Sequence, residues 1–156
     1  MKALVVYYSR TGHTKEIAET IADMLSCSRE EIIDTKKRSG LLGFMRSGYQ
    51  TKRKSLTDIK DLETDVSVYD LVIVGTPVWA GTVSVPMRTF LHQYKDMLKS
   101  VAFFSTHGGE DTQDEFNEME AVCGKSPVDV LSFSAREVDK KEYTENVKKF
   151  VNELKT

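Results

Sequence analysis

Residues 3–14 read Ala3-Leu4-Val5-Val6-Tyr7-Tyr8-Ser9-Arg10-Thr11-Gly12-His13-Thr14, and the change of character at Ser9 decides the fold. Ala3 to Tyr8 are apolar without interruption, the mark of a strand buried on both faces of a parallel sheet. Ser9 to Thr14 then place three hydroxyls and a glycine in a short polar loop. Beyond it Ile17, Ala18, Ile21, Ala22 and Leu25 recur at helical spacing, which predicts a helix over Thr14 to Ser26. A buried strand running through a short loop into an amphipathic helix opens a βαβ unit.

The alternation continues outward from that stretch. A short strand is expected around Glu31 to Asp34. Tyr69-Asp70-Leu71-Val72-Ile73-Val74-Gly75 is a second buried strand. Val85 to Leu98 is predicted helical, with Pro86 suited to a first turn and Met87, Phe90, Leu91, Tyr94 and Leu98 as the apolar stripe. Strands follow at Ser100 to Ser105 and Val128 to Phe133, with a helix over Asp111 to Val122 between them that turns Phe116, Met119 and Val122 inward. Asp139 to Leu154 is expected to close the chain as one helix, opened by the capping box Asp139-Lys140-Lys141-Glu142. The pattern predicts one α/β domain over residues 1–156, a doubly wound, five-stranded parallel sheet with helices on both faces. By analogy with open sheets of this length, the strand order is 2-1-3-4-5. Lys36 to Glu63 is irregular and is read either as a loop or as holding a short helix over Leu41 to Met45.

The 156 residues are 40% hydrophobic and 29% charged, enough apolar material for a sizeable core. No apolar stretch approaches membrane-spanning length, and Lys2 leads through a short apolar run straight into the Ser9 loop, not into a cleavage site, so a cytoplasmic protein is expected. Cys27 and Cys123 form no CxxC pair and no metal-ligand spacing; they are read as two packed thiols or as a single disulfide. The net charge of −2 hides an asymmetry. Lys36, Lys37, Arg38, Arg46, Lys52, Arg53 and Lys54 occupy one segment without an acidic residue, leaving fifteen basic against twenty-four acidic residues elsewhere. An acidic body with one basic segment argues against nucleic acid as a partner.

In a sheet of this kind ligands bind beyond the carboxyl ends of the strands, beside the point where strand order reverses. Three loops leave that edge: Ser9 to Thr14, Thr76 to Ser84 and Thr106 to Glu110. The first joins a strand to a helix N-terminus, where unpaired amides and the helix dipole favour an anion. Its hydroxyls add donors and Gly12 allows close backbone approach. A plainer alternative is a helix cap made by one of the hydroxyls. Neither GxxxxGK nor GxGxxG is present. Ser9, Thr11, Gly12 and Thr14 match, position for position, the Ser/Thr-x-Thr-Gly-x-Thr signature that follows the first strand of flavodoxins, and the chain resembles that family from its first strand to its last helix. The resemblance implies that these four residues wrap the phosphate of FMN, with Arg10 and His13 in variable positions and Arg10 able to add charge.

The second loop, Thr76-Pro77-Val78-Trp79-Ala80-Gly81-Thr82, carries the chain's only tryptophan. An indole beside the expected cleft is either an aromatic platform for a planar ligand or a plug at the sheet edge. The string Gly75 to Leu91 is similar to the loop that borders the isoalloxazine ring in flavodoxin-like proteins. By that resemblance Thr76, Pro77, Val78, Trp79, Ala80 and Gly81 belong to a flavin site, with a carbonyl of Ala80 or Gly81 available to flavin N5. The third loop, Thr106-His107-Gly108-Gly109, follows a core strand, and its paired glycines permit close main-chain approach to a ligand. In similar proteins this loop covers the pyrimidine end of the ring, often with a tyrosine where this chain has His107. His107 is open to two readings, over the flavin or on the surface; His92 is read as an exposed or packed helix residue.

No nucleophile–base constellation and no metal motif is present, as expected where a cofactor carries the reaction. The resemblance implies FMN and electron transfer between redox partners. An FMN-dependent NAD(P)H or quinone reductase is the alternative, and a binding module without redox activity is disfavoured by the intact phosphate loop. A redox partner protein docking at residues 36–54 is one reading of the basic segment; a solvated loop folded back on the domain is another. A monomer or weak dimer is expected.

Overall fold

The computed structural model describes residues 1–35, 56–109 and 113–156. Ala3–Tyr7 forms β1, buried at every position. It is followed by α1 at His13–Leu25 and β2 at Ser28–Glu31. After a 3-10 turn at Val66–Val68 come β3 at Leu71–Trp79, β4 at Thr82–Val83 and α2 at Val85–Tyr94. The remaining elements are β5 at Ser100–His107, α3 at Asp114–Cys123, β6 at Val130–Ser134, α4 at Ala135–Asp139 and α5 at Thr144–Leu154. Five strands pair in parallel in the order β2-β1-β3-β5-β6. This is the expected 2-1-3-4-5 arrangement once the two-residue β4, an antiparallel appendage of β3, is set aside.

Strand alternation divides the core in two. Leu4, Val6, Val72, Val74, Val101 and Phe103 pack toward α2 and α3. Val5, Tyr7, Leu71, Ile73, Ala102 and Phe104 pack toward α1, α4 and α5. Each fully buried aliphatic or aromatic side chain contributes about 1.5–3 kcal/mol relative to an exposed one, so the two layers fix the sheet on which the loops stand. Gly75 marks a close approach: a Cβ there would lie 2.0 Å from Cζ of Phe104 on the neighbouring strand. Cys27 and Cys123 are both free thiols. Cys27 packs against the α1/α5 layer and Cys123 lies in the α2/α3 layer, so the sheet separates them.

Several boundaries differ from the sequence expectation. The edge strand is Ser28–Glu31, in register with Leu4 to Tyr7, and not Glu31 to Asp34. Its side chains are polar and half-exposed, so they carry no apolar signal, and the chain enters the strand directly after Ser26 closes α1 in the left-handed region. The second loop is largely strand: β3 runs on to Trp79 and turns through Ala80 and Gly81 into β4. The last helix is two helices. Ser134 and Glu137 form the capping box that opens α4, Lys141 adopts a left-handed conformation (φ 59°), and α5 begins at Thr144. The box expected at Asp139 to Glu142 does not form, because those residues make the turn between α4 and α5. The helix α2 ends at Tyr94 and passes into a 3-10 turn at Lys95–Met97. The basic segment and the helix expected over Leu41 to Met45 lie outside the described residues. Among the described residues no helix is long and apolar enough to cross a membrane.

Candidate functional site

The carboxyl ends of β1, β3, β5 and β6 converge on a cavity of about 230 Å³. Its walls are Arg10, Thr11 and His13 from the first loop, and Pro77, Val78 and Trp79 from the end of β3. Thr106, His107 and Gly108 from the end of β5 complete it with Ala135 of α4. Larger hollows lie elsewhere: about 860 Å³ between α2 and α3, and about 480 Å³ at the amino ends of the strands. Neither gathers all three loops, and the candidate site is the smaller cavity where the chemistry converges.

Helix α1 begins without a side-chain cap among the described residues, and its N-cap is Gly12, left-handed at φ 98°. The hydroxyl-cap alternative is therefore not realised, and first-turn amides face the loop without a side-chain acceptor. Ser9 Oγ accepts from the Gly12 amide at 3.1 Å and shapes the turn. A Cβ on Gly12 would meet no atom within 4 Å, so the glycine serves the backbone conformation and not a packing contact.

The three hydroxyls are disposed differently. Thr11 is exposed, and its Oγ1 lies 2.8 Å from Nδ1 of His13. Nε2 of His13 lies 2.9 Å from Oδ1 of Asp139, at the end of α4. An ionised carboxylate only accepts, so Nε2 carries a proton in this pair. Thr14 is buried, and its hydroxyl shares a 2.7 Å hydrogen bond with that of Thr106. Two residues further along α1, Glu16 receives Lys141 Nζ and, at 2.6 Å, the Tyr143 hydroxyl. Burial works to raise the Glu16 carboxyl, but those two donors outweigh it and hold it below the usual carboxylate range.

At the other wall Trp79 is only 5% exposed, with Tyr8 edge-on at 5.5 Å. The Arg10 guanidinium lies over the indole, 4.9 Å from its centroid. A planar ligand therefore meets an Arg10–Trp79 pair and not a bare indole. Thr76 is fully buried, and its hydroxyl is tied to Ser84 at the start of α2, outside the cavity wall. Ala80 and Gly81 are exposed at the tip of the hairpin, both with positive φ. Nδ1 of His107 lies 2.9 Å from the Gly109 carbonyl, closing the glycine loop over the cavity edge.

Ala135 is not among the residues expected at this edge, and Asp139 is expected only as a helix cap. The signal available was Ser134-Ala135-Arg136-Glu137, a capping-box pattern directly after the last strand, which places a helix N-terminus at the same sheet edge.

The flavodoxin family model matches residues 2–154 of the chain. A flavoprotein of Lactobacillus acidophilus NCFM, solved in complex with FMN, is 29% identical and superposes with a TM-score of 0.72 over 89% of this chain and 97% of that one. A protein of Bacteroides uniformis shares the fold at a TM-score of 0.79, with 22% identity over 97% of both chains. An NAD(P)H dehydrogenase (quinone) of Cupriavidus metallidurans is 28% identical over 121 residues, 70% of this chain and 60% of that relative's length.

Proposed function

We propose that this chain, which belongs to the flavodoxin family, carries electrons between redox partners through one non-covalent FMN held at the three-loop edge. The observation that carries the reading is the start of α1: an anion site without a side-chain cap, framed by hydroxyls and set beside an aromatic wall. The donor set fits the cofactor. Ser9, Thr11, Gly12 and the first amides of α1 suit a phosphate, and Arg10 offers further donors. Pro77, Val78, Trp79 and His107 suit a planar, partly apolar ring. The bound flavin would supply one- and two-electron chemistry that no side chain here provides. The residues bind it, orient it and exclude water from one side. A partner protein would approach the exposed Ala80–Gly81 tip and the basic segment at 36–54.

A second reading, direct reduction by NAD(P)H with a quinone as acceptor, is favoured by the Cupriavidus relative. The test is the same for both. Flavin released by heat from the purified protein is identified by chromatography, and the holoprotein is titrated anaerobically with and without NAD(P)H. FMN at one equivalent with slow NAD(P)H oxidation is expected. Stoichiometric FAD would overturn the cofactor assignment, and rapid NAD(P)H turnover by the protein alone would replace the carrier reading with the reductase.

A further inference from the structure

Arg88 lies on α2 among the residues that pack against the sheet, between Met87 and Phe90, and is 3% exposed. Its Nε and Nη2 both donate to Oε1 of Glu118 on α3, at 2.8 and 2.5 Å. The Glu118 side chain is itself only 11% exposed. Nη2 also reaches Thr82 Oγ1 and the Val83 carbonyl of β4, each at 3.5 Å. One guanidinium thus joins α2, α3 and β4.

As a stability device the pair is poorly chosen, since desolvating two charges offsets most of their attraction and an apolar pair of similar volume is often as good. Its position suggests another role. β4 is two residues long and pairs only with the end of β3, through Val78 with Val83 and Trp79 with Thr82. Between them Ala80 and Gly81 turn the chain with φ of 50° and 77°, the two left-handed residues of a tight hairpin. An alanine there is strained, so this hairpin does not hold its shape by local preference alone. Thr82 Oγ1 donates on to the Trp79 carbonyl at 3.2 Å. The chain of contacts runs from Glu118 through Arg88 and Thr82 to Trp79, which lines the cavity.

We infer that Arg88 and Glu118 are positioning residues that fasten the β3–β4 hairpin from beneath and thereby hold Val78 and Trp79 as a fixed wall for the flavin ring. The inference rests on the proposed flavin site. The pair acts on the ring wall and leaves the phosphate end to the start of α1.

The test uses the full chain carrying Arg88→Met and Glu118→Met together, which removes both charges and keeps apolar volume. Thr82→Val is the second variant; it removes the Thr82 hydroxyl that joins Arg88 to the Trp79 carbonyl, while leaving the ion pair and the Val83 carbonyl contact. Trp79 is the only tryptophan, so its emission reports the wall directly, with or without flavin. In the folded double variant the emission should shift red and acrylamide quenching should rise. FMN and riboflavin should both weaken by roughly tenfold, the scale of a lost charge-assisted hydrogen bond. The ratio of the two affinities should stay within about twofold, as expected for sites that do not share partners. Thr82→Val should move the same readouts in the same direction by less, and it decides the matter should the double variant not fold. A folded variant of either kind with wild-type emission and wild-type affinity for both flavins would overturn the inference alone. A wild-type protein that binds neither flavin would overturn the proposed site and this inference with it.

Discussion

Thr14 Oγ1 and Thr106 Oγ1 lie 2.7 Å apart, joining the first turn of α1 to the end of β5 across ninety-two residues of sequence. Both side chains are buried, so the bond forms away from competing water. It fastens the Ser9–Thr14 loop to the strand that carries His107. Each hydroxyl has one proton, and the proton that closes this bond is not available to a ligand. The Thr11 hydroxyl also has a partner, Nδ1 of His13, but that bond is exposed, where a ligand can compete for the proton.

The two threonines should therefore separate stability from binding. Thr106→Val leaves Thr14 without its buried partner and should lower the unfolding free energy by about 1–2 kcal/mol. Thr11→Ala should leave stability within about 0.5 kcal/mol, as for an exposed surface substitution. The same change should weaken FMN by roughly tenfold while riboflavin is unaffected. Urea unfolding and flavin titration of both variants check this. Equal losses of FMN and riboflavin in Thr11→Ala would show that the loop does not read a phosphate.

Gly75 and Phe104 give a prediction about the core. The Cβ of an alanine at 75 would sit 2.0 Å from the Phe104 ring, in the middle of the sheet where neither strand can move aside. Gly75→Ala should destabilise by about 1–3 kcal/mol through overpacking, or more. Adding Phe104→Leu should recover part of that loss, a coupling that a double-mutant cycle measures directly.

What the sequence disclosed follows from where the hydrophobic signal was strong. Leu71 to Val74 and Val101 to Phe104 are buried on both faces, and such runs admit few readings. Ser9, Thr11, Gly12 and Thr14 pointed to the strand–helix junction as a candidate anion site, although hydroxyls at such a junction equally suit a helix cap. β2 was misplaced because Ser28-Arg29-Glu30-Glu31 lies at an exposed edge, held by backbone pairing and by the polar contacts of Arg29 and Glu30, none of which leaves an apolar pattern. The break at Lys141 was hidden because its cause is tertiary: the Lys141 ammonium is drawn to Glu16, 125 residues away in sequence. Arg88 reads as a polar interruption in an apolar stripe, and its meaning appears only when Glu118 and Thr82 are brought to it.

Glu16 should make stability depend on pH. Its carboxyl is held low in the folded protein despite burial, by Lys141 and Tyr143. A depressed folded value means the contribution is fully present above the unfolded carboxylate range and is lost as pH falls through the folded value. Glu16→Gln should thus be less stable than wild type at neutral pH, and the gap should close only in strong acid, once the folded carboxyl is protonated. Denaturation midpoints at a series of pH values test it; a gap that stays constant into strong acid would remove Glu16 as the source.

His13 offers a spectroscopic check on the first loop. Asp139 accepts from Nε2, so the neutral ring carries its proton there and Nδ1 accepts from Thr11. Nitrogen chemical shifts of the His13 ring in alkaline solution should report a protonated Nε2 and a bare Nδ1. Asp139→Ala should mix the two tautomers. Because Asp139 is largely exposed, little change in global stability should accompany the loss.

The contact between Arg10 and Trp79 leads to the last prediction. The guanidinium is half-buried over the indole, in the same cavity as Thr11 and His13, so it can act on a ligand in two ways. As a charge it attracts a phosphate group, an effect that fades as salt shortens the Debye length from about 10 Å at 0.1 M toward 3 Å at 1 M. As a cover on the indole it competes with a stacked ring, since the cation–π contact contributes about 0.5–1 kcal/mol at an exposed site and must be given up. Arg10→Gln separates the two. FMN should weaken by about three- to tenfold at low ionic strength, with the difference narrowing in high salt. Riboflavin, which has no phosphate, should bind unchanged or somewhat more tightly, because the indole is uncovered. The Trp79 emission of the flavin-free variant should change as the cation leaves its face. If both flavins weaken alike and salt makes no difference, Arg10 serves the ring wall and the phosphate is held by the hydroxyls and amides of α1 alone.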